Sequence, residues 1–452
     1  MKMDNRVLTF IVLCVVIKMI DSKVVCLYDD SLKSFKIRRI TCYSSLSHNV
    51  LRRDDLFKEG DYTTATIRRC QITQIDIDGL FNARLVWDLN LSENKLKTLP
   101  LGVFDMNTRL EDLDLSQNLL TDLPPGIFNK TLLRNLHLQG NNFKSFDTGL
   151  ISFSPREMVS LYLTCNSLVG KNLNSDILCD MAILDLSGND MNEVTFMGNV
   201  KSLQYLHMNQ CSLKEMPEFL STANLSKLLV LELSLNEITA IGNGTLHKLV
   251  LLKSLDLSKN HIEYIHRDAF VNLPIIEHID LSHNRLNYLA LGVFQNIHSI
   301  EELDLSFNLL RDIHPRTFDN STLKKLNIAN NRITYLNPNQ LTTMLSNVKS
   351  LKDIDFHENP WQCACLRDLL HELRNVRCNY NYYAYNGENA VCVTTPEFVC
   401  KRYDAANQLF IDMYDDLIAP RLTERRREMP DFDLIMEGAP SVPVPCRPRP
   451  VD

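Results

Sequence analysis

Residues 252–265 read LKSLDLSKNHIEYI, and residues 276–289 read IEHIDLSHNRLNYL, the same wording 24 residues later. A fixed period of this size decides the fold before any single element does, because it marks an array of stacked units. The wording generalises to L-x-x-L-x-L-x-x-N-x-L. Along the chain its ninth slot falls at Cys70, Asn94, Asn118, Asn141, Asn166, Asn189, Cys211, Asn236, Asn260, Asn284, Asn308, Asn331 and Asn359, spaced by 22 to 25 residues except for a last gap of 28. Slots 4 and 6 lie two residues apart, so on a short strand they share one face while slots 3, 5 and 7 share the other. One such turn cannot bury its apolar side alone, whereas stacked turns form a parallel sheet over a continuous core. The recurrent Asn belongs at a buried bend, where its amide satisfies backbone groups that nothing else reaches.

These residues resemble the leucine-rich-repeat family over roughly residues 60 to 400. The resemblance implies an α/β-type leucine-rich-repeat solenoid, a curved right-handed horseshoe with a parallel concave β-sheet and disulfide-stabilised terminal caps. Cys is a common substitute for the ladder Asn in this family, so Cys70 and Cys211 are expected as buried thiols. Phe104, Phe128, Phe270, Phe294 and Phe318 each stand ten residues after their ladder residue and predict an aromatic spine. Turns from Asn141 to Asn236 lack that Phe, which makes the middle of the array its irregular part.

The chain has 452 residues, 45% of them apolar, 13 Cys and a formal net charge of −7. A large core is therefore available, and a nucleic-acid partner is disfavoured. Residues 1–22 combine a basic start, a short apolar run and a small final residue, the pattern of a secretory signal. No other stretch is apolar enough for a membrane span. Export makes disulfides the default reading of the cysteines. Cys26 and Cys42 bracket a segment before the first repeat and resemble an N-terminal cap over 23–60. Repeats occupy 61–358, and NPWQCAC opens a cysteine-rich cap over 359–400 that resembles the C-terminal cap of extracellular members. By that resemblance Cys363 pairs with Cys378 and Cys365 with Cys400. Cys392 is additional to the pattern and is left to Cys446 or to another chain, which leaves room for a disulfide-linked or non-covalent oligomer. Cys165 and Cys179 are assigned to no bridge. Five sequons, at Asn90, Asn129, Asn224, Asn243 and Asn320, fit an exported glycoprotein. Asn90 is the odd one, since it occupies slot 5 and would place a glycan on the concave sheet. In the tail, 401–452, Phe410, Met413, Tyr414, Leu417 and Ile418 have helical spacing and predict a short helix docked on its own domain, followed by a Pro-rich end.

Catalytic motifs fail. His266, Arg267 and Asp268 spell the start of a kinase catalytic loop, but the Asn required five residues after the Asp is Leu273. G-x-S-x-G, H-E-x-x-H and phosphate-loop signatures are also missing from the sequence. No enzyme, cofactor or metal is expected. Recognition remains, and slot 5 locates it: the slot is mostly Asp or Asn in consensus wording, read as solvated, and it departs from that at His137, Tyr162 and His207. With Tyr205 at slot 3 and Leu229 and Val230 at slots 2 and 3, these six residues form the candidate ligand-binding patch on the concave face. Toll-receptor and Slit-type ectodomains, and most nearly insect leucine-rich immune proteins, are what the chain resembles. The resemblance implies a secreted, non-catalytic innate-immune recognition protein whose partner is an extracellular protein or glycan. An adhesion or guidance ligand, or a matrix component, is the alternative.

Overall fold

The computed structural model describes residues 24–29, 39–44, 49–56, 62–146, 158–173, 181–194, 202–295, 297–314, 316–318, 321–336, 348, 350–381, 385, 391–394, 398–403 and 407–420. The expected signal segment, Cys179, Asn320 and Cys446 lie outside them. The chain forms two compact units, Met1–Asp185 and Leu186–Asp452. Each is a stack of three-residue strands from slots 3 to 5, paired in parallel and in step, which is the leucine-rich-repeat solenoid expected.

In the first unit an antiparallel pair, Val24–Asp29 with Arg39–Ser44, opens the stack, and Cys26 faces Cys42 across it. Arg39–Ser44 then pairs in parallel with Thr64–Thr66, and the ladder continues through Asp88–Asn90, Asp112–Asp114, Asn135–His137, Ser160–Tyr162 and Ile183–Asp185. Cys42 and Cys165 each take part in a disulfide of their own. In the second unit the ladder runs from Tyr205–His207 through Val230–Glu232, Ser254–Asp256, His278–Asp280, Glu302–Asp304 and Lys325–Asn327 to Asp353–Asp355. Within the quoted stretch Leu252, Leu255, Leu257 and Ile262 are all buried, so the apolar slots do face the core.

The Asn ladder follows from unsatisfied backbone at each bend. Asn260 donates from Nδ2 to the Leu233 and Leu257 carbonyls at 2.8 and 3.1 Å, and its Oδ1 accepts from the Ile238 N–H at 3.1 Å. Asn284 does the same one turn later with Leu257, Leu281 and Ile262. Cys70 and Cys211 hold the same slot as buried thiols; the Cys70 Sγ–H donates to the Cys42 carbonyl at 3.1 Å. The preceding residue turns the corner in the left-handed region, with φ of 53° at Lys259, His283, Phe307 and Asn330 and 52° at Glu358. Beneath the turns the Phe spine stacks, with centroids 5.7 Å apart for Phe104 and Phe128, 5.5 Å for Phe270 and Phe294, and 6.0 Å for Phe294 and Phe318.

The C-terminal cap corrects one expected bridge. Trp361, fully buried, donates its indole N–H to the Phe356 carbonyl at 3.0 Å, and the helix Cys363–Val376 follows at once. That helix puts Cys363 at its start and Cys378 beyond its end, about 20 Å apart at 1.5 Å per residue. A disulfide spans roughly 4.4–6.8 Å between Cα atoms. Cys363 therefore bonds Cys392, at a Cα separation of 5.0 Å, and not Cys378; Cys365 bonds Cys400 at 4.5 Å. Cys378 is a buried thiol, and burial pushes its pKa up to about 11. Cys392 is thus taken within the cap, not by Cys446.

The tail helix Asn407–Leu417 buries Phe410, Ile411 and Tyr414, and Phe410, Tyr414 and Ile418 pack with Val393 of the cap. Its first residue, Asn407, is hydrogen-bonded to Thr334. Leu417, read from its spacing as part of the apolar stripe, instead lies outside it and is 59% exposed, because the stripe runs through 410, 411, 414 and 418.

Candidate functional site

The six residues expected on the binding face fall in both units, and each unit presents its own group. In the first, His137 and Tyr162 occupy paired positions of neighbouring strands, and their rings stack at 4.5 Å with 6° between the planes. Strand pairing fixes both backbones about 4.8 Å apart, so the stack is held without any loop. Asn90 lies in the same slot two strands earlier. It donates from Nδ2 to Asp114 at 2.8 Å and accepts from the Ser92 N–H at 2.9 Å.

In the second unit Tyr205 is paired with Val230 and His207 with Glu232. Leu229 precedes Val230 and, like it, is half-buried. The His207 Nδ1 lies 2.8 Å from the Glu232 carboxylate. Burial by itself pushes the Glu232 carboxyl up, but the hydrogen bonds from His207 and Asn209 outweigh it and the net shift is downward.

Beyond Glu232 the same slot reads Asp256, Asp280 and Asp304 in successive strands. These aspartates are half-buried and are not merely solvated. Each carboxylate accepts the backbone N–H of the Ser two residues on, at 2.8 Å, so each closes the turn behind its strand. Stacking them has a cost: burial, then Asp304 and Asp256 on either side, raise the Asp280 pKa to about 6.

A further feature was not anticipated. Beside the strand face a groove of about 760 Å³ runs along the corner residues of the second unit, from Lys259 past His283 and Phe307 to Glu358, with Arg285 on its wall. Tyr414, Asp415 and Ala419 of the tail segment close one side. Its floor is a stacked pair, His283 on Phe307, at 4.0 Å and 8°. Burial, then the nearby Lys259, lower the His283 pKa. Its signal in the sequence is slot 8 down the register: Lys259, His283, Phe307, Asn330 and Glu358.

Two observations place the chain among known proteins. A leucine rich repeat family model matches residues 85–143, 201–262, 251–310 and 298–360. The chain belongs to the leucine-rich-repeat family. Members typically serve as non-catalytic scaffolds for protein interaction. Among solved structures, this leucine-rich-repeat chain is similar to the APL1 leucine-rich repeat domain, with 23% identity and a TM-score of 0.54, over 78% of this chain and 87% of that one. It is similar to the LRIM1/APL1C complex at 21% and 0.52, over 83% and 67%. It is also similar to the Toll–Spatzle complex of Drosophila, described as a hub in development and innate immunity, at 23% and 0.52, over 80% of this chain and 49% of that one. At these identities the likeness is one of fold. No curated protein matches the chain in sequence. Among the described residues, no helix is long and apolar enough to cross a membrane.

Proposed function

We propose that the protein is exported and disulfide-capped, and that it recognises an extracellular protein in innate defence through the outward face of its strands, without catalysis. The observation that carries the reading is the break in consensus wording on that face: a His137–Tyr162 stack in one unit, and Tyr205 with Val230 beside the His207–Glu232 pair in the other. Half-buried aromatic rings on a rigid sheet bury large area at small entropic cost when a partner arrives. Likeness in fold to chains that form the LRIM1/APL1C and Toll–Spatzle complexes supports a protein as the partner.

Capture of extracellular defence proteins by the secreted chain tests this. Tyr162→Ala and Tyr205→Ala are each expected to weaken capture about tenfold or more, equivalent to about 1.4 kcal/mol, with secretion unchanged. Asp280→Asn, on the same face in consensus wording, is expected to do little. If only the aspartate change reduces capture, the partner sits on the acidic row and the aromatic surface is the wrong one.

A further inference from the structure

Asn243 carries two chemistries on one amide. It opens the sequon Asn243–Gly244–Thr245, and it is followed by Gly, a step that the chain contains twice; the other, Asn386–Gly387, lies outside the described residues. An Asn side chain can close a ring on the backbone nitrogen of the next residue. Any Cβ on that residue crowds the closure, and Gly has none. The other sequon asparagines are followed by Leu91, Lys130, Leu225 and Ser321. In the fold Asn243 is exposed, and neither its side-chain amide nor the Gly244 N–H is hydrogen-bonded among the described residues. Gly244 lies at φ 69°, and a Cβ built on it meets nothing nearer than 3.7 Å. Asp78–Gly79, the chain's one Asp–Gly step, is prone to the same closure and is built the opposite way. The Gly79 N–H donates to the Asp76 carbonyl at 2.8 Å, and a Cβ there would lie 2.7 Å from the Leu51 carbonyl oxygen. One step is locked by the fold, and the other is left open.

We propose that Asn243, wherever it carries no glycan, is a site of spontaneous succinimide formation that ages to isoaspartate and aspartate. The Gly244 nitrogen gives its proton to solvent base and attacks Cγ of Asn243. The N–Cγ bond forms, the Cγ–Nδ2 bond breaks, and Nδ2 takes up a proton and leaves as ammonia. Water then opens the ring at one of its two carbonyls: attack at Cγ returns an aspartate, and attack at the main-chain carbonyl leaves the chain running through Cβ and Cγ as isoaspartate. Nothing is oxidised or reduced, and water is the only co-reactant. A glycan on Nδ2 encumbers the same leaving group, so the two fates exclude each other: a glycosylated Asn243 stays asparagine, and an aged one has lost its acceptor. The glycan half of this statement rests on the export proposed above; the ring closure does not. Each conversion adds a negative charge, and isoaspartate lengthens the backbone by one carbon three residues before Leu246, which is fully buried.

Peptide mapping of the folded full chain during incubation at mildly alkaline pH tests the proposal. Thr245→Ala with Ser226→Ala removes two sequons and leaves both asparagines in place. In that chain isoaspartate should accumulate at 243 in excess over aspartate, at a rate within about tenfold of that in a free peptide of residues 238–250. Asn224, equally exposed but followed by Leu225, should convert at least tenfold more slowly, and Asp78 should not isomerise. Chains that carry a glycan at Asn243 should keep it as asparagine. A rate at 243 more than a hundredfold below that of the free peptide would mean that the fold withholds the amide. Aspartate without isoaspartate would mean direct hydrolysis with no ring, and isomerisation of Asp78 as fast as conversion of Asn243 would mean that the Gly79 hydrogen bond and packing do not decide between the two steps. Each of these three results overturns the proposal, and none depends on whether the chain is exported.

Discussion

Asn260 and Asp280 sit four residues from the same position in neighbouring turns, yet one relieves a cost and the other imposes one. The Asn260 amide meets four backbone groups, in its own turn and in the one before. Truncation to Ala strands them in the core, and the expected loss is about 1 to 3 kcal/mol. Lys259→Ala, one residue away in solvent, should shift stability by less than about 0.5 kcal/mol. Urea unfolding of the pair decides it, and equal losses would refute the assigned register. Asp280 has a folded pKa of about 6 against an ordinary 3.8, so the folded chain holds the extra proton between these values. The sign follows: its contribution is most favourable below about pH 4, and stability is lost as pH rises through 6. Asp280→Asn keeps an acceptor for Ser282 and removes the charge. Asn327 already does this in its own turn, accepting from Ala329 and donating to Asp304 at 2.9 Å. The substitution should therefore raise stability at pH 7.5 by about 1 to 3 kcal/mol, at 1.36 kcal/mol per pKa unit. Near pH 4 it should change little. A gain of equal size at both values would show that repulsion along the row is not its source.

At the scale of elements, the cap shows how a helix overrules a cysteine pattern. Read as spacing alone, Cys363 and Cys378 look like partners; once 363–376 coils, they cannot meet. Peptide mapping without reduction should link Cys363 to Cys392 and Cys365 to Cys400 and recover Cys378 as a thiol. Since burial holds that thiol near pKa 11, it should alkylate slowly at pH 8 and rapidly once the chain is denatured. Fast labelling of Cys378 in the folded chain would contradict its burial. The tail helix was legible from its stripe, except for Leu417, because a stripe of one short helix leaves its flanks undetermined by about one residue in either direction.

For the molecule as a whole, the repeats were the most legible feature, since each turn repeats the same physical problem and solves it with the same residues. The face was less so. Slot 5 located His137, Tyr162 and His207, but that wording carries no information on whether an aspartate is solvated or closing a turn. The groove was missed because it is made by slot 8, where the backbone is left-handed and the side chain is aimed by φ and not by strand alternation. Glycan placement depends on the same geometry. Asn129, Asn224 and Asn243 are exposed, whereas both amide atoms of Asn90 are engaged on the sheet. If the chain is exported, glycopeptide mapping should find those three occupied and Asn90 bare. Full occupancy at Asn90 would mean that its turn does not pack as described.

The reach of each Asn amide has a consequence for how such a chain changes over time. Its bonds extend to its own turn and to the one before, and no further. A turn can thus be duplicated or deleted whole, and the neighbours on either side find the same donors and acceptors waiting in the newcomer. Length in this architecture is cheap to revise, whereas a shift of one residue inside a turn is ruinous, because it carries the amide away from both carbonyls and turns the leucines to water.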